Sequence, residues 1–237
     1  MNNILDQEQD GYSNAITKEF FKSVYSYMFA ALSISGVIAY YCGTREFFET
    51  YFLSSNGGLS MLYYVVAFSP LVLVILISTS YRRFSLGTLI FMFMLYSALF
   101  GASISTIFLR YTGSEIASTF FISSGSFGLM AFLGYTTKTD LSKFGSLLYM
   151  ALFGLLIAVV VNLFFHSQSF NYLISILGVF IFTGLTAYDM QNLKKISSDS
   201  SLDADSRNKI ALIGSLDLYL NFVNLFLFLL RLLGNRD

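Results

Sequence analysis

Charge is scarce in this chain. Asp, Glu, Lys and Arg make up only 12% of the 237 residues, about half of the ~25% of an ordinary soluble domain. The 14 basic and 14 acidic residues cancel, so there is no basic field of the kind nucleic-acid binding needs. A single cysteine, Cys42, excludes an internal disulfide and a cysteine-rich metal site. A single proline, Pro70, leaves the helices mostly unbroken. Tryptophan is absent, and 26 Phe and 16 Tyr supply the aromatic surface. The first 22 residues are polar and of mixed charge, with no basic stretch leading into a short apolar run and a cleavage site. The first apolar segment therefore reads as an uncleaved anchor.

What the chain has is length of apolar sequence. It is 55% hydrophobic, with a mean hydropathy of +0.66. Seven apolar segments stand out, at 23–43, 60–80, 86–108, 115–135, 145–165, 170–191 and 210–233. Each is near the ~20 residues needed to cross a ~30 Å hydrocarbon core. Backbone groups in lipid must be satisfied within the segment, so the segments are predicted to be helices. The expectation is an all-α polytopic membrane protein, a bundle of seven transmembrane helices. Residues 1–22 form a cytoplasmic N-terminal segment, 23–233 the membrane domain and 234–237 a short tail. The connections are short, apart from a polar one at 192–209.

Basic residues orient the helices. Ten (Lys18, Lys22, Arg82, Arg83, Lys138, Lys143, Lys194, Lys195, Arg207 and Lys209) fall on one side and four (Arg45, Arg110, Arg231 and Arg236) on the other. Basic residues favour the cytoplasmic side, which predicts a cytoplasmic N-terminus and an outside C-terminus. Small residues recur at helix-packing intervals, at Ser97, Gly101 and Ser105 in the third segment and at Gly125, Gly128 and Gly134 in the fourth. Close backbone approach is the expected purpose at both.

The chain is organised around Gly178–Lys195, an apolar run that ends in Asp189 and, five residues later, two lysines. A carboxylate at the centre of a membrane helix costs about 2.5–3.5 kcal/mol on insertion scales and marks a functional candidate. On the sixth helix Asn171, Ser175, Gly178, Phe182, Thr186 and Asp189 share one face. On the seventh Gly214, Asp217, Asn221, Asn224, Phe228 and Arg231 do the same. Two polar stripes on apolar cylinders should face each other or a shared cavity. They serve either as interhelical hydrogen-bonding glue or as a site. Asp189 and Asp217 can share a proton and titrate as a unit, and carboxylate and amide oxygens are the ligands Ca²⁺ prefers. The expectation is a pH-sensing ion path through Asp189, Asp217, Asn221, Asn224 and Thr186, with Asp189 and Asp217 as Ca²⁺ ligands. Neutral aspartates hold the helices together; deprotonation adds repulsion and creates a cation site.

Three residues fit plainer roles. His166, at the outer end of the fifth helix, reads as an interfacial surface residue. Glu115 opens the fourth helix, where a carboxylate suits the helix dipole. Cys42 reads as a small packing residue.

TGLTAYDMQNLKK (residues 183–195), YSALFGASISTIFLRYTGSEIASTFF (96–121), GYTTKTDLSKFG (134–145) and LYLNFVNLFLFLLRLLG (218–234) together resemble the Bax inhibitor-1 family of membrane proteins, including its bacterial YccA-like and YetJ-like members. The first 60 residues match in pattern only. The resemblance implies a seven-helix fold with the last helix central. It implies a pH-sensitive Ca²⁺ leak gated by aspartates on the sixth and seventh helices. For bacteria it implies an inner-membrane protein, some relatives of which modulate a membrane protease; for eukaryotic relatives it implies suppression of cell death from the endoplasmic reticulum. Asp189 matches the family's sixth-helix aspartate. On the seventh helix the family pattern LYLDFINLF reads LYLNFVNLF here, so Asn221 holds the second position. Asp217, one turn earlier on the same face and nearer Asp189 by residue counting, is the substitute. The family's latch arginine falls at Arg82, with Arg83 one residue away. An acidic residue that some members carry midway along the second helix is absent near Pro70.

Two other function classes compete. A non-conducting regulator would bind other membrane proteins, such as a protease or a channel, through the same stripes. An intramembrane aspartyl protease would use Tyr188-Asp189 and Gly214-Ser215-Leu216-Asp217, but the second motif lacks its middle glycine and Pro70 is no Pro-Ala-Leu motif. A retinal protein fails for want of a lysine beyond Lys209, and a rhomboid-like serine protease would need a histidine deep in a helix opposite Ser126, where His166 sits at an interface. The expectations are no enzymatic activity, no cofactor beyond Ca²⁺ as the permeant ion, the lipid bilayer as surroundings and no nucleic-acid partner.

Overall fold

The computed structural model describes residues 2–54, 56–199 and 201–234, with residues 2–14 as backbone only. Seven long helices dominate: α1 (Asn2–Cys42), α2 (Met61–Ser80), α3 (Leu86–Ile104), α4 (Gly113–Thr136), α5 (Ser142–Phe165), α6 (Gln168–Ser197) and α7 (Ala204–Leu233). Each contains a stretch long and apolar enough to cross a membrane; in α1 it is Ala15–Cys42, so helix continues through much of the polar segment before residue 23. The last residues of the expected tail, 235–237, including Arg236, lie outside the described residues.

Local chemistry sets the helix ends. Ser60 and Ser85 accept a hydrogen bond from the backbone N–H three residues on, at Tyr63 and Thr88, each 3.2 Å, which satisfies an otherwise orphaned donor. Asp203 does the same for Ser206 at 3.1 Å. The polar 192–209 connection is therefore mostly helical, and only 198–203 separates α6 from α7. Lys194 and Lys195 sit in the last turn of α6 and Asp205 in the first turn of α7, each sign matched to the helix dipole. Pro70 lies inside α2 without ending it. Its missing N–H frees the Val66 carbonyl, and Ser69 Oγ donates to that oxygen at 3.2 Å. His166 ends α5 in the left-handed conformation (φ 50°), with its N–H on the Asn162 carbonyl at 2.9 Å; its side chain is exposed.

The chain forms two compact units, 1–112 with 197–216 and 113–196 with 217–237. In the first, α1 packs on α3. Ser35 Oγ donates to the Ser97 carbonyl at 2.8 Å, and a Cβ placed on Gly101 would lie 2.5 Å from the Ser35 carbonyl oxygen. The small-residue spacing of α3 thus does bring two backbones together. The 43–60 connection folds on itself through a helical turn (Arg45–Phe47), a π-helical turn (Phe48–Phe52) and a single Leu53–Leu59 bridge. Phe52 and Cys42 are buried there with Ala102, so Cys42 is a packing residue.

In the second unit α6 touches three partners. A Cβ on Gly134 of α4 would strike the Ala187 carbonyl, one on Gly145 of α5 would strike the Tyr188 ring, and Gly178 itself lies under Phe228 of α7. Gly125 and Gly128 correct the expectation for α4: both are exposed with no neighbour within 4 Å, because they lie off the face that carries Gly134. α4 meets α7 through aromatic edges instead, Phe120 and Phe127 each 5.5 Å from Phe222. α7 is the most buried span, at 67% of its apolar stretch against 44% for α6 and 11% for α5. Phe29, Phe121 and Phe164 are more than 70% exposed, surface that suits lipid rather than water.

Candidate functional site

The stripes of α6 and α7 meet. Phe182 stacks on Phe228 at 5.8 Å between ring centroids, and farther along Asn221 Nδ2 donates to Asp189 Oδ2 at 2.6 Å. Residue numbers rise on one helix as they fall on the other, so the two faces pair antiparallel. Asp189 is buried, 7% exposed, and Asn221 5%. A buried carboxylate needs hydrogen-bond donors, and α5 supplies the second: Tyr149 Oη donates to Asp189 Oδ1 at 3.4 Å. Tyr149 packs edge-on against Tyr188, 6.1 Å away, and Gly145, one turn before Tyr149, makes room for the Tyr188 ring.

The remaining stripe residues divide. Thr186 Oγ1 donates to the Phe182 carbonyl at 2.7 Å and Asn224 Nδ2 to the Leu220 carbonyl at 2.8 Å; each bonds its own helix. Asp217 stands one turn before Asn221, partly exposed, with no hydrogen bond to its carboxylate among the described residues. Tyr149 touches Asp189 directly, and Asp217 lies one turn along α7 from Asn221, which does the same. The residue facing Asp189 is thus Asn221 and not Asp217, one turn off what residue counting suggests. No three His, Cys, Asp or Glu side chains among the described residues gather as a metal cage.

Beside the site, the end of α6 clasps the 137–141 connection. Gln191 Nε2 donates to the Thr139 carbonyl at 2.7 Å, and its Oε1 accepts from Leu141 N at 2.8 Å. Lys194 donates to the Tyr135 carbonyl at 2.8 Å and lies over that ring. Lys195 pairs with Asp140 at 2.7 Å. The Lys195 ammonium, with help from Ser142, holds the Asp140 carboxyl down to about 2. Sequence reading missed Tyr149 and Gln191; a tyrosine inside an apolar run and a glutamine at the last position of one carry no periodic signal. Arg82 belongs to the other unit. Its Nε donates to Tyr81 Oη at 3.0 Å and its guanidinium lies over the Tyr81 ring. Arg83, beside it, is exposed.

The chain matches the family model described as Inhibitor of apoptosis-promoting Bax1 over residues 17–237. It belongs to the Bax inhibitor-1 family. The match reaches well into the first 60 residues, where the motifs alone are silent. Similar proteins include an uncharacterized protein of Borreliella burgdorferi, 43% identical over 98% of this chain and 99% of its own length. The inner membrane protein YbhL of Escherichia coli K12 is 40% identical over 92% of each chain. An uncharacterized membrane protein of Streptococcus pyogenes serotype M1 is 32% identical over 92% and 93%.

Proposed function

We propose that this multi-pass membrane protein conducts cations, Ca²⁺ among them, through a proton-controlled path at Asp189. One observation carries the reading: a carboxylate buried in an apolar span, held by Asn221 and Tyr149. Intramembrane carboxylates are costly and mark ion or proton routes. An amide donates to a carboxylate without needing a shared proton, so the 189–221 contact persists when Asp189 is charged. Proton control then falls to Asp217, whose carboxylate has no such donor. Ionised Asp217, one turn along α7 from the residue that holds Asp189, adds the second negative charge that a cation needs. Two carboxylates fall short of the 6–8 oxygens of a Ca²⁺ cage, which suits passage of a partly hydrated ion over storage. On this reading the protein is no enzyme and needs no resident cofactor. YbhL's name supports placement in an inner membrane, and the ten-to-four basic bias supports a cytoplasmic N-terminus.

The test is Ca²⁺ flux into liposomes holding the purified protein, scanned from pH 5 to 8 beside Asp189→Asn and Asp217→Asn. Flux that depends on pH in wild type and is lost in both variants is the expected result. Loss in Asp189→Asn alone leaves a single-carboxylate path and makes Asp217 structural. No flux from folded wild type at any pH overturns conduction and favours a non-conducting regulator of other membrane proteins, for which the 2.6 Å Asp189–Asn221 bond is a clamp.

A further inference from the structure

A cavity of about 340 Å³ lies within the first unit, where the connection after α2 meets the start of α7. Its lining is chemically two-sided. Arg82, Lys209, Ser206 and Tyr81 bring two cations and two hydroxyls; Leu202 and Ile210 bring aliphatic walls. Arg82 is steadied by Tyr81, through the 3.0 Å hydrogen bond from Nε and the ring beneath, so its terminal amino groups stay available. Lys209 is already placed: its side chain is 15% exposed and its Nζ pairs with Asp205 at 2.7 Å. An ammonium has three donors, and Asp205 takes one. Arg207, on the adjoining turn, donates to the Asp199 and Leu202 carbonyls at 3.3 and 3.0 Å, which fixes the Leu202 wall.

We infer that this cavity binds a phosphate group, gripped by Arg82, Lys209 and the Ser206 hydroxyl. Guanidinium and ammonium together match a phosphate's several acceptor oxygens. With Asp205 counted, one net positive charge remains, enough for a phosphodiester. All six residues lie at the ends of membrane spans, the level of lipid headgroups, and Leu202 and Ile210 suit the glycerol and first methylenes of a phospholipid. A free phosphate or a soluble phosphate ester offers the same oxygens without using those walls. The inference stands apart from the cation path, since none of its groups belongs to the Asp189 site.

The experiment uses the full chain in detergent, with lipid retention followed by native mass spectrometry and thermal unfolding. The probes are phosphatidylglycerol, inorganic phosphate, and a diacylglycerol that lacks phosphate. Phosphatidylglycerol should bind and raise Tm, and Arg82→Gln should weaken it about tenfold, the scale of one charge-assisted hydrogen bond. Arg82 is exposed, so that variant tests binding without a folding cost; Lys209→Gln, which also breaks the Asp205 pair, should weaken it as well. Arg83→Gln, outside the cavity, should leave binding unchanged. Stabilisation by inorganic phosphate that Arg82→Gln removes identifies a free phosphate as sufficient; response to phosphatidylglycerol alone identifies the lipid. Equal binding of diacylglycerol, or phosphatidylglycerol binding indifferent to Arg82→Gln and Lys209→Gln, overturns the inference.

Discussion

At the scale of single residues, Asn221 decides how the site behaves. An Asp at this position could face Asp189 only by sharing a proton with it; the amide needs none. Asn221→Asp should therefore make the α6–α7 contact depend on pH. The contact is intact while the pair holds a proton and repulsive once both carboxylates are charged, so the Tm of Asn221→Asp should fall relative to wild type as pH rises from 5 to 8. Melting curves in detergent would show it, and parallel curves for the two proteins would refute the role given to the amide. Asn221→Ala removes the donor and leaves a buried carboxylate short of a partner, which should cost about 1–3 kcal/mol. Asp189 was legible from sequence, because one carboxylate in an apolar run stands out. Its partner was not, because Asp217 and Asn221 lie one turn apart on the same face, and only the stagger of the two helices chooses between them.

At the scale of elements, the seven segments could be read from length and hydropathy alone, since the bilayer sets both. Which glycines matter could not. The α4 glycines look alike in sequence, yet only Gly134 faces another backbone. Gly134→Ala should be destabilising by about 1–3 kcal/mol, because the Ala187 carbonyl it would strike belongs to a helix and cannot step aside. Gly125→Ala, with open space around it, should be neutral or gain up to about 1 kcal/mol of helix propensity. Thermal unfolding of the pair separates a packing glycine from an incidental one. The clasp at the end of α6 was hidden because polar residues after an apolar run read as loop, whereas their side chains bind the neighbouring connection. Gln191→Ala should speed amide exchange at Leu141, whose N–H it frees. Asp140 behaves differently. A carboxyl held below its ordinary value contributes above that value and loses its contribution as pH falls toward about 2. The Lys195–Asp140 pair is therefore constant from pH 5 to 8, so any flux response in that range has to arise elsewhere.

At the scale of the whole molecule, seven crossings place successive connections on alternating sides of the membrane. The 43–60 connection follows one span and the 198–203 connection follows six, so five crossings separate them and they must lie on opposite sides. The basic residues choose the sides: Lys194, Lys195, Arg207 and Lys209 flank 198–203, while Arg45 alone marks 43–60. Because Cys42 is the sole cysteine and is buried, a Cys42→Ala background should be silent to a membrane-impermeant maleimide. In that background Asn56→Cys and Asp199→Cys, both at exposed positions, report the two faces. Asn56→Cys should label in intact cells, and Asp199→Cys only after permeabilisation. The reverse pattern would overturn the orientation and leave the crossing number standing. Labelling of both from one side would mean that one of the five helices between them fails to span, and Met61–Ser80, with Pro70 in its middle, would be the first to question. The Ser69 hydroxyl on the Val66 carbonyl argues that it does span, since it satisfies the one backbone oxygen that proline would otherwise leave bare in lipid.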